Sequence, residues 1–323
     1  HGKVVSFFSF KHKLLFLHAS KVISSEATQY VVNPFFNRSK YFRDLLDFDF
    51  VFLQHGIIRD DISGWLQKYN QNIRLFITTS KPERNSILKG NYHYTDREVK
   101  LTGLARYDNL HNNPKRKLII MPTWRTTLAM HPIDGTDKRP YNPTFKESEY
   151  YHFWSKLIVD TRLRDVLKKH DMKGEFYLHH TLRSQSIDFD SNKKVKIMPY
   201  PYDFSRAKSE GALMVTDYSS VALDFAYLKK PIIYAQFDAG TYYDTSTSSQ
   251  GYLSYEHAGL GPVTYNYETT VKKMVKIIEN ECRMGLKYEN RVNDFFGFFD
   301  KNNAERAYNE VLAIDDEKDI LAK

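Results

Sequence analysis

Residues 213–237 read LMVTDYSSVALDFAYLKKPIIYAQF, and this stretch decides the fold. Leu213, Met214 and Val215 form a short apolar strand. Thr216, Asp217, Ser219 and Ser220 follow where a helix must begin, and residues of these types suit a helix start. Val221, Leu223, Phe225, Ala226 and Leu228 make that helix largely buried, and Pro231 stops it before a second strand, Ile232 to Tyr234. A helix starting over a strand end points free N–H groups and the positive end of its dipole at whatever lies above. The pattern fits a phosphate site and an ordinary capped helix of an α/β domain equally well.

Working outward, apolar strands alternate with helical segments along the chain. Lys21–Ser24, Phe50–Gln54, Leu75–Thr78, Lys117–Met121, Phe176–His180, Lys194–Met198, Leu213–Val215 and Ile232–Ala235 read as short buried strands, the signature of parallel α/β sheets. Val271–Ile278 and Asn303–Leu312 have helical spacing. Met130–Pro143, rich in His, Pro, Gly, Asp and Asn, reads as a loop after a strand end, either over a site or as a plain connection. Asn112, Asn113, Pro114 and Lys115 make a polar break, so the boundary is expected there: residues 1–114 as an N-terminal Rossmann-like domain and 115–323 as a C-terminal one, facing each other across a cleft.

A chain of 323 residues accommodates two ordinary domains. A single cysteine, Cys282, excludes an intramolecular disulfide and a Cys-based zinc site, so a reducing cytosol is the default. No apolar run approaches the roughly 20 residues of a membrane span, so a soluble or peripheral protein is expected. The net charge of +8 favours anionic partners. Lys and Arg are scattered and no nucleic-acid recognition motif is present, which points to a phosphate-bearing substrate and away from nucleic acid. Between Val4 and Leu17, Phe7, Phe8, Phe10, Leu14, Phe16 and Leu17 interleave with Lys3, Lys11 and Lys13. This segment reads first as a core helix and second as a basic helix lying on anionic lipid. Structured-looking sequence begins almost at once, and the natural protein is expected to start earlier.

Four motifs fall at expected strand ends, where α/β folds place ligands. Gln54-His55-Gly56 offers a histidine whose ordinary pKa suits proton transfer. Pro122-Thr123-Trp124-Arg125 offers a guanidinium that would clamp a phosphate or form a surface ion pair. His179 and His180 end a strand, and adjacent strand residues point to opposite faces, so one of the two is expected at the site. The fourth is the turn Thr216-Asp217-Tyr218-Ser219-Ser220. No carboxylate cluster with metal-ligand spacing is evident, and Asp217 reads as a helix cap rather than a lone magnesium ligand.

Together, His55-Gly56, GLARYD at Gly103–Asp108, PTWR, the strand-borne histidine and the 216–234 unit resemble the CDP-glycerol glycerophosphotransferase family of teichoic-acid and capsule polymerases. Gly251–Val263 (GYLSYEHAGLGPV) and Phe295–Arg306 (FFGFFDKNNAER) extend the resemblance to most of the chain. It implies a GT-B architecture with the donor nucleotide held mainly by the C-terminal domain, which the closing helix would complete. It also implies transfer of glycerol phosphate or ribitol phosphate from a CDP-alditol to a hydroxyl of a growing polymer, releasing CMP, with no cofactor.

By the same resemblance His55 corresponds to an essential histidine acting as general base, and His179 or His180 to a second near the donor phosphates. Thr216, Asp217, Ser219 and Ser220 match the donor-phosphate turn, and Arg125, by the chemistry of its guanidinium rather than by the resemblance, would add positive charge at the phosphates. The acceptor would be a polymeric or lipid-linked polyanion, and the place of action the cytoplasmic face of the membrane. The sequence departs from the family at Ile57, Ile58, Arg59, Asp60 and Asp61, and its N-terminal domain is expected to be incomplete, without a first strand and helix. The rival expectations are a GT-B glycosyltransferase using a sugar nucleotide and a noncatalytic nucleotide- or polyanion-binding module.

Overall fold

A computed structural model describes residues 2–36, 41, 45–134, 136–246 and 248–321. The chain forms two compact units: residues 1–109 together with 295–323, and residues 110–294. The break at 109–110 lies just before the Asn112–Lys115 segment. The last segment, from Phe295 on, belongs with the first unit, where sequence reasoning placed it with the second.

In the first unit, β1 (Lys21–Ser24), β2 (Asp49–Phe52), β3 (Ile73–Thr78) and β4 (Val99–Leu101) form a parallel sheet in that order. One group of core residues gathers Phe50, Phe52, Ile73 and Phe76 with Leu66, Ile87 and Val99. A second sets Val51, Leu75 and Ile77 against Ala307 and Ile314 of the C-terminal helix Asn303–Leu321, and this contact is why the tail joins the first unit. GLARYD is its docking device. The Asp108 carboxylate accepts from Asn303 N at 3.0 Å, Asn303 Nδ2 at 2.7 Å and Ala304 N at 2.8 Å, satisfying donors at the helix start. Gly103, at φ +81°, leaves room for Asn303, whose Oδ1 would lie 1.9 Å from any added Cβ.

The early segment forms a helix at Phe10–Leu17, capped by Ser9, but it is not a core helix. Its apolar residues spread around the axis; Phe16 alone is buried, while Phe7, Phe8, Phe10, Leu14 and Leu15 are exposed.

The second unit is a six-stranded parallel sheet ordered β10-β9-β8-β5-β6-β7: β5 (Lys117–Ile120), β6 (Lys173–Phe176), β7 (Val195–Ile197), β8 (Gly211–Thr216), β9 (Ile232–Ala235) and β10 (Val263–Thr264). The chain builds outward from β5 through β6 and β7, then crosses to β8 and builds the other way. That is a doubly wound Rossmann order, and its switch point lies between the carboxyl ends of β5 and β8. The core joins Leu118, Ile120, Leu213, Val215 and Ile233 to helices Glu149–Val159, Thr161–Lys169 and Tyr267–Glu279. The unit Leu213–Phe237 folds as read: strand, turn, helix Val221–Tyr227 and strand.

In the first unit, Ser80 and Glu83 form a capping box for helix Lys81–Lys89. The fully buried Glu83 carboxylate accepts from Thr79 N and Ile58 N, both at 2.7 Å, and from Ser80 N at 3.4 Å. Burial pushes this carboxyl up to about 7 against the pull of those N–H groups. A folded-state pKa raised above the unfolded value contributes stability that is complete below the unfolded pKa and lost as pH rises through about 7. We therefore predict that Glu83→Gln costs about 1–3 kcal/mol more at pH 5 than at pH 7.5. Urea unfolding of both proteins at each pH tests this, and taking the difference cancels the opposite trend from His179. An equal or smaller cost at pH 5 would mean that the folded protein keeps Glu83 ionised.

Candidate active site

Three chain segments leave adjacent strand ends of the second unit and are tied together by one buried cation. Pro122–Arg125 follows β5, Asp217–Ser220 follows β8 and Gln236–Asp238 follows β9. Arg125 Nε donates to Asp238 Oδ2 at 2.7 Å, and its Nη2 to Asp217 Oδ2 at 2.8 Å and Asp238 Oδ1 at 3.2 Å. Nη1 donates to the carbonyls of Thr123 at 2.7 Å and Trp124 at 3.5 Å. A guanidinium has five N–H donors, and all five are engaged. The rings of Tyr150, Tyr218, Phe237 and Tyr242 surround it, 4.8–5.9 Å from the guanidinium carbon. Burial works against the charge, but the two carboxylates outweigh it and raise the pKa further.

This corrects the role expected for Arg125: it is neither a surface ion pair nor an available phosphate clamp, but a buried strut. Thr216 and Asp217 are corrected in the same way. Thr216 Oγ1 donates to Met121 O at 2.6 Å, and both residues are fully buried. Asp217 Oδ1 accepts from Thr123 N at 2.8 Å and Tyr218 N at 2.7 Å, so it splices the loop after β5 to the turn after β8 instead of capping a helix.

The upper part of the turn is left facing outward. Ser219 is half-buried, its Oγ accepting from Val221 N at 3.3 Å, and Ser220 is exposed and makes no side-chain capping bond. Around the strut, Thr123 Oγ1, Tyr150 Oη and Tyr218 Oη are buried without a hydrogen-bond partner among the described residues. Buried orphans are uncommon, and ligand sites are among the places that retain them.

The two histidines lie beyond β6, so the opposite-face rule for strand neighbours does not govern them. Their rings sit together, 4.3 Å apart, with His179 also stacked on Trp124 at 6.0 Å. His179 Nδ1 accepts from Thr181 N at 3.2 Å, which leaves the ring proton on Nε2. Burial lowers its pKa to about 4, His180 adds to the effect and Asp217 opposes it, so His179 is a neutral N–H donor at pH 7. His180 is the more exposed of the two, and partial loss of solvent on its inner side, with nearby Arg183, also lowers its pKa. The loop read at Met130–Pro143 docks beside these rings: Arg183 pairs with Asp137 at 2.9 Å, and Gln185 Nε2 donates to Asn142 O at 2.8 Å.

In the first unit, Gln54 turns the chain after β2 with φ +60°. His55 follows with its side chain 68% exposed and its Nδ1 3.2 Å from Glu26 Oε1 and 3.3 Å from Ser25 O. An Nδ1–H donated to a carboxylate leaves Nε2 as the free acceptor, the arrangement of an oriented general base. Among the departure residues, Arg59 is buried and pairs with Asp60 at 2.8 Å. Sequence reasoning gave no role to Glu26, Trp124, Asp238 or Tyr242, and three of them, Glu26, Asp238 and Tyr242, stand in no motif. Of the four, Trp124 had a usable signal, its place in PTWR. Among the described residues, no group of three or more His, Cys, Asp or Glu side chains could hold a metal ion.

Two Rossmann-like units of parallel sheet define the GT-B-like class. Solved structures carry the same fold: that of the wall teichoic acid polymerase TagF matches with a TM-score of 0.59 at 16% identity, over 94% of this chain and 74% of that one. The chain belongs to the CDP-glycerol:poly(glycerophosphate) glycerophosphotransferase family, whose model matches residues 1–313. It is 44% identical over 319 residues to the minor teichoic acid biosynthesis protein GgaB of Bacillus subtilis (strain 168), covering 98% of this chain and 35% of that protein. It is 24% identical over 223 residues to the teichoic acid poly(glycerol phosphate) polymerase of the same organism, covering 65% of this chain and 28% of that protein. The chain thus spans about a third of the length of these curated relatives.

If Arg125 is a strut, Arg125→Met strands the buried Asp217 carboxylate and the half-buried Asp238 carboxylate and should destabilise the protein by about 3–5 kcal/mol in urea unfolding. A loss below about 1 kcal/mol, accompanied by loss of nucleotide binding, would return Arg125 to the role of phosphate clamp.

Proposed function

We propose that this chain is an alditol-phosphate transferase, taking glycerol phosphate or ribitol phosphate from its CDP derivative and joining it to a hydroxyl of a teichoic-acid-like or capsular polymer. The observation that carries the reading is the family match over nearly the whole chain. It is supported by the relatives' names and by the fold shared with TagF, a histidine-to-asparagine variant of which has been solved after soaking with CDPG.

In the proposed reaction the acceptor oxygen attacks the phosphorus that carries the alditol, the bond from that phosphorus to the bridging oxygen breaks, and CMP leaves. A free hydroxyl is a weak nucleophile at neutral pH, so its proton must be taken as the new bond forms. His55 takes it on Nε2, with Glu26 steadying the imidazolium through Nδ1. The second unit holds the donor. Ser219, Ser220 and the neutral Nε2–H of His179 donate to phosphate oxygens at the β5/β8 switch point, and His180 lies beside them. Arg125, Thr216 and Asp217 hold those donors in place from below.

The test is CMP release from CDP-glycerol and CDP-ribitol with a primed acceptor. His55→Ala should cut turnover by about 10² to 10⁴ with donor binding nearly unchanged. Replacing Ser219 and Ser220 together by Ala should weaken donor binding roughly tenfold or more. No CMP from either donor, or preferential binding of a UDP-sugar, would defeat the reading.

Work at the cytoplasmic face of a membrane, on a lipid-linked polyanion, completes the proposal. No helix among the described residues is long and apolar enough to cross a membrane. The exposed Phe7, Phe8, Phe10, Leu14 and Leu15 beside Lys3, Lys11 and Lys13 suit an anionic lipid surface, at about 1 kcal/mol per nearby cation and screened by salt. Co-sedimentation with anionic vesicles at low salt, release at high salt, and loss in a Phe7→Ser/Phe10→Ser variant are expected. Equal, negligible binding to anionic and neutral vesicles would remove this surface from the proposal.

A further inference from the structure

We propose that the second unit carries a separate site for one chain of an anionic lipid, at the end of the sheet opposite the candidate active site. A pocket of about 430 Å³ lies where the amino end of β9 meets the end of helix Tyr267–Glu279 and the start of helix Leu286–Phe295. Its size is that of a small-molecule site. The residues of the candidate active site follow the carboxyl ends of β5, β8 and β9. This pocket opens at Pro231 and Ile232, a strand length of about 13 Å away.

The pocket wall is built from apolar chemistry. Ile232, Leu260, Ile277, Met284 and Tyr288 line it. Gly261 lets the Leu260–Pro262 segment run hard against β9, since a Cβ there would stand 2.2 Å from Ile232 O. Any larger residue would push this wall away from the strand.

The charges are one-sided. Lys273, Lys276 and Arg283 line the pocket, and no carboxylate does. Lys273 and Lys276 enter no ion pair among the described residues, and Arg283 pairs with Glu281 in an exposed contact of little strength. A cation in the last turn of a helix complements the helix dipole, which accounts for Lys276. It does not account for Lys273, a turn earlier, or for Arg283 beyond the helix end. An apolar pocket with unpaired cations among its lining residues matches a ligand with an alkyl chain and an anionic head. Leu286, next in the chain to the lining Gly285, is 72% exposed, an apolar residue where a lipid surface would meet the pocket.

Short alkyl phosphates are the probe, measured by calorimetry on the intact protein below their micelle concentrations. Hexyl, octyl and decyl phosphate should bind in a saturable manner, tightening roughly fourfold per added methylene until the pocket is full. Octyl glucoside, with the same chain and no charge, should bind at least tenfold more weakly than octyl phosphate. Inorganic phosphate alone should show no binding here. Lys273→Glu/Lys276→Glu, which changes one half-buried and one exposed side chain, should weaken octyl phosphate at least tenfold, and Met284→Trp should abolish the gain from longer chains. Equal affinity for octyl phosphate and octyl glucoside, absence of chain-length dependence, or unchanged binding by the double variant would overturn the proposal. CDP-alditol turnover is not the readout, so these results stand whether or not the transferase reading holds.

Discussion

The second unit depends on one buried charge. Arg125 leaves the end of β5 and is met by Asp217 after β8 and Asp238 after β9. A lone buried guanidinium would be prohibitively costly, and so would either carboxylate alone; together they satisfy one another. Because the three partners come from three neighbouring strand ends, the pairing also sets the relative positions of the loops those strands feed. The aromatic rings around the guanidinium keep water out, which strengthens the interaction in that low-dielectric setting.

The Rossmann-like organisation was largely legible in the sequence because its signals are local. Strand, turn, helix, proline and strand follow within Leu213–Phe237; seven of the ten strands among the described residues lie on the apolar runs that announced them, and an eighth, β6, shares only Phe176 with the run read at Phe176–His180. The two that escaped, β4 and β10, are three and two residues long and lie at sheet edges. The tail was misassigned because nothing in its own sequence says which core it joins. The answer lies in Asp108 and Gly103, nearly 200 positions away in the chain.

The residue types at the candidate site were legible, while their roles were only half so. Arg125, Thr216 and Asp217 were read as ligand groups because they stand at strand ends, where such groups occur. Strand ends must also be fastened to one another, and the same polar side chains serve that need. Burial separates the two uses, and burial is a property of the assembled sheet: Thr216 and Asp217 lie beneath the turn while Ser219 and Ser220 lie above it. The motif therefore divides into a buried fastening pair, Thr216 and Asp217, and an outward-facing pair, Ser219 and Ser220, with the buried Tyr218 Oη between them left without a partner among the described residues.

The histidines show how position in the network decides chemistry. His55 faces a carboxylate through Nδ1, so the nitrogen left over is an acceptor. His179 receives a backbone N–H on Nδ1, so the nitrogen left over is a donor. Burial beside Trp124 and His180 keeps His179 neutral, and a neutral donor can bind a phosphate oxygen without competing for the proton that a base must collect. The two rings are chemically identical in sequence. What distinguishes them is what each inner nitrogen faces, the Glu26 carboxylate and the Ser25 carbonyl for His55 and the Thr181 backbone N–H for His179, so one ring keeps a free acceptor and the other a free donor.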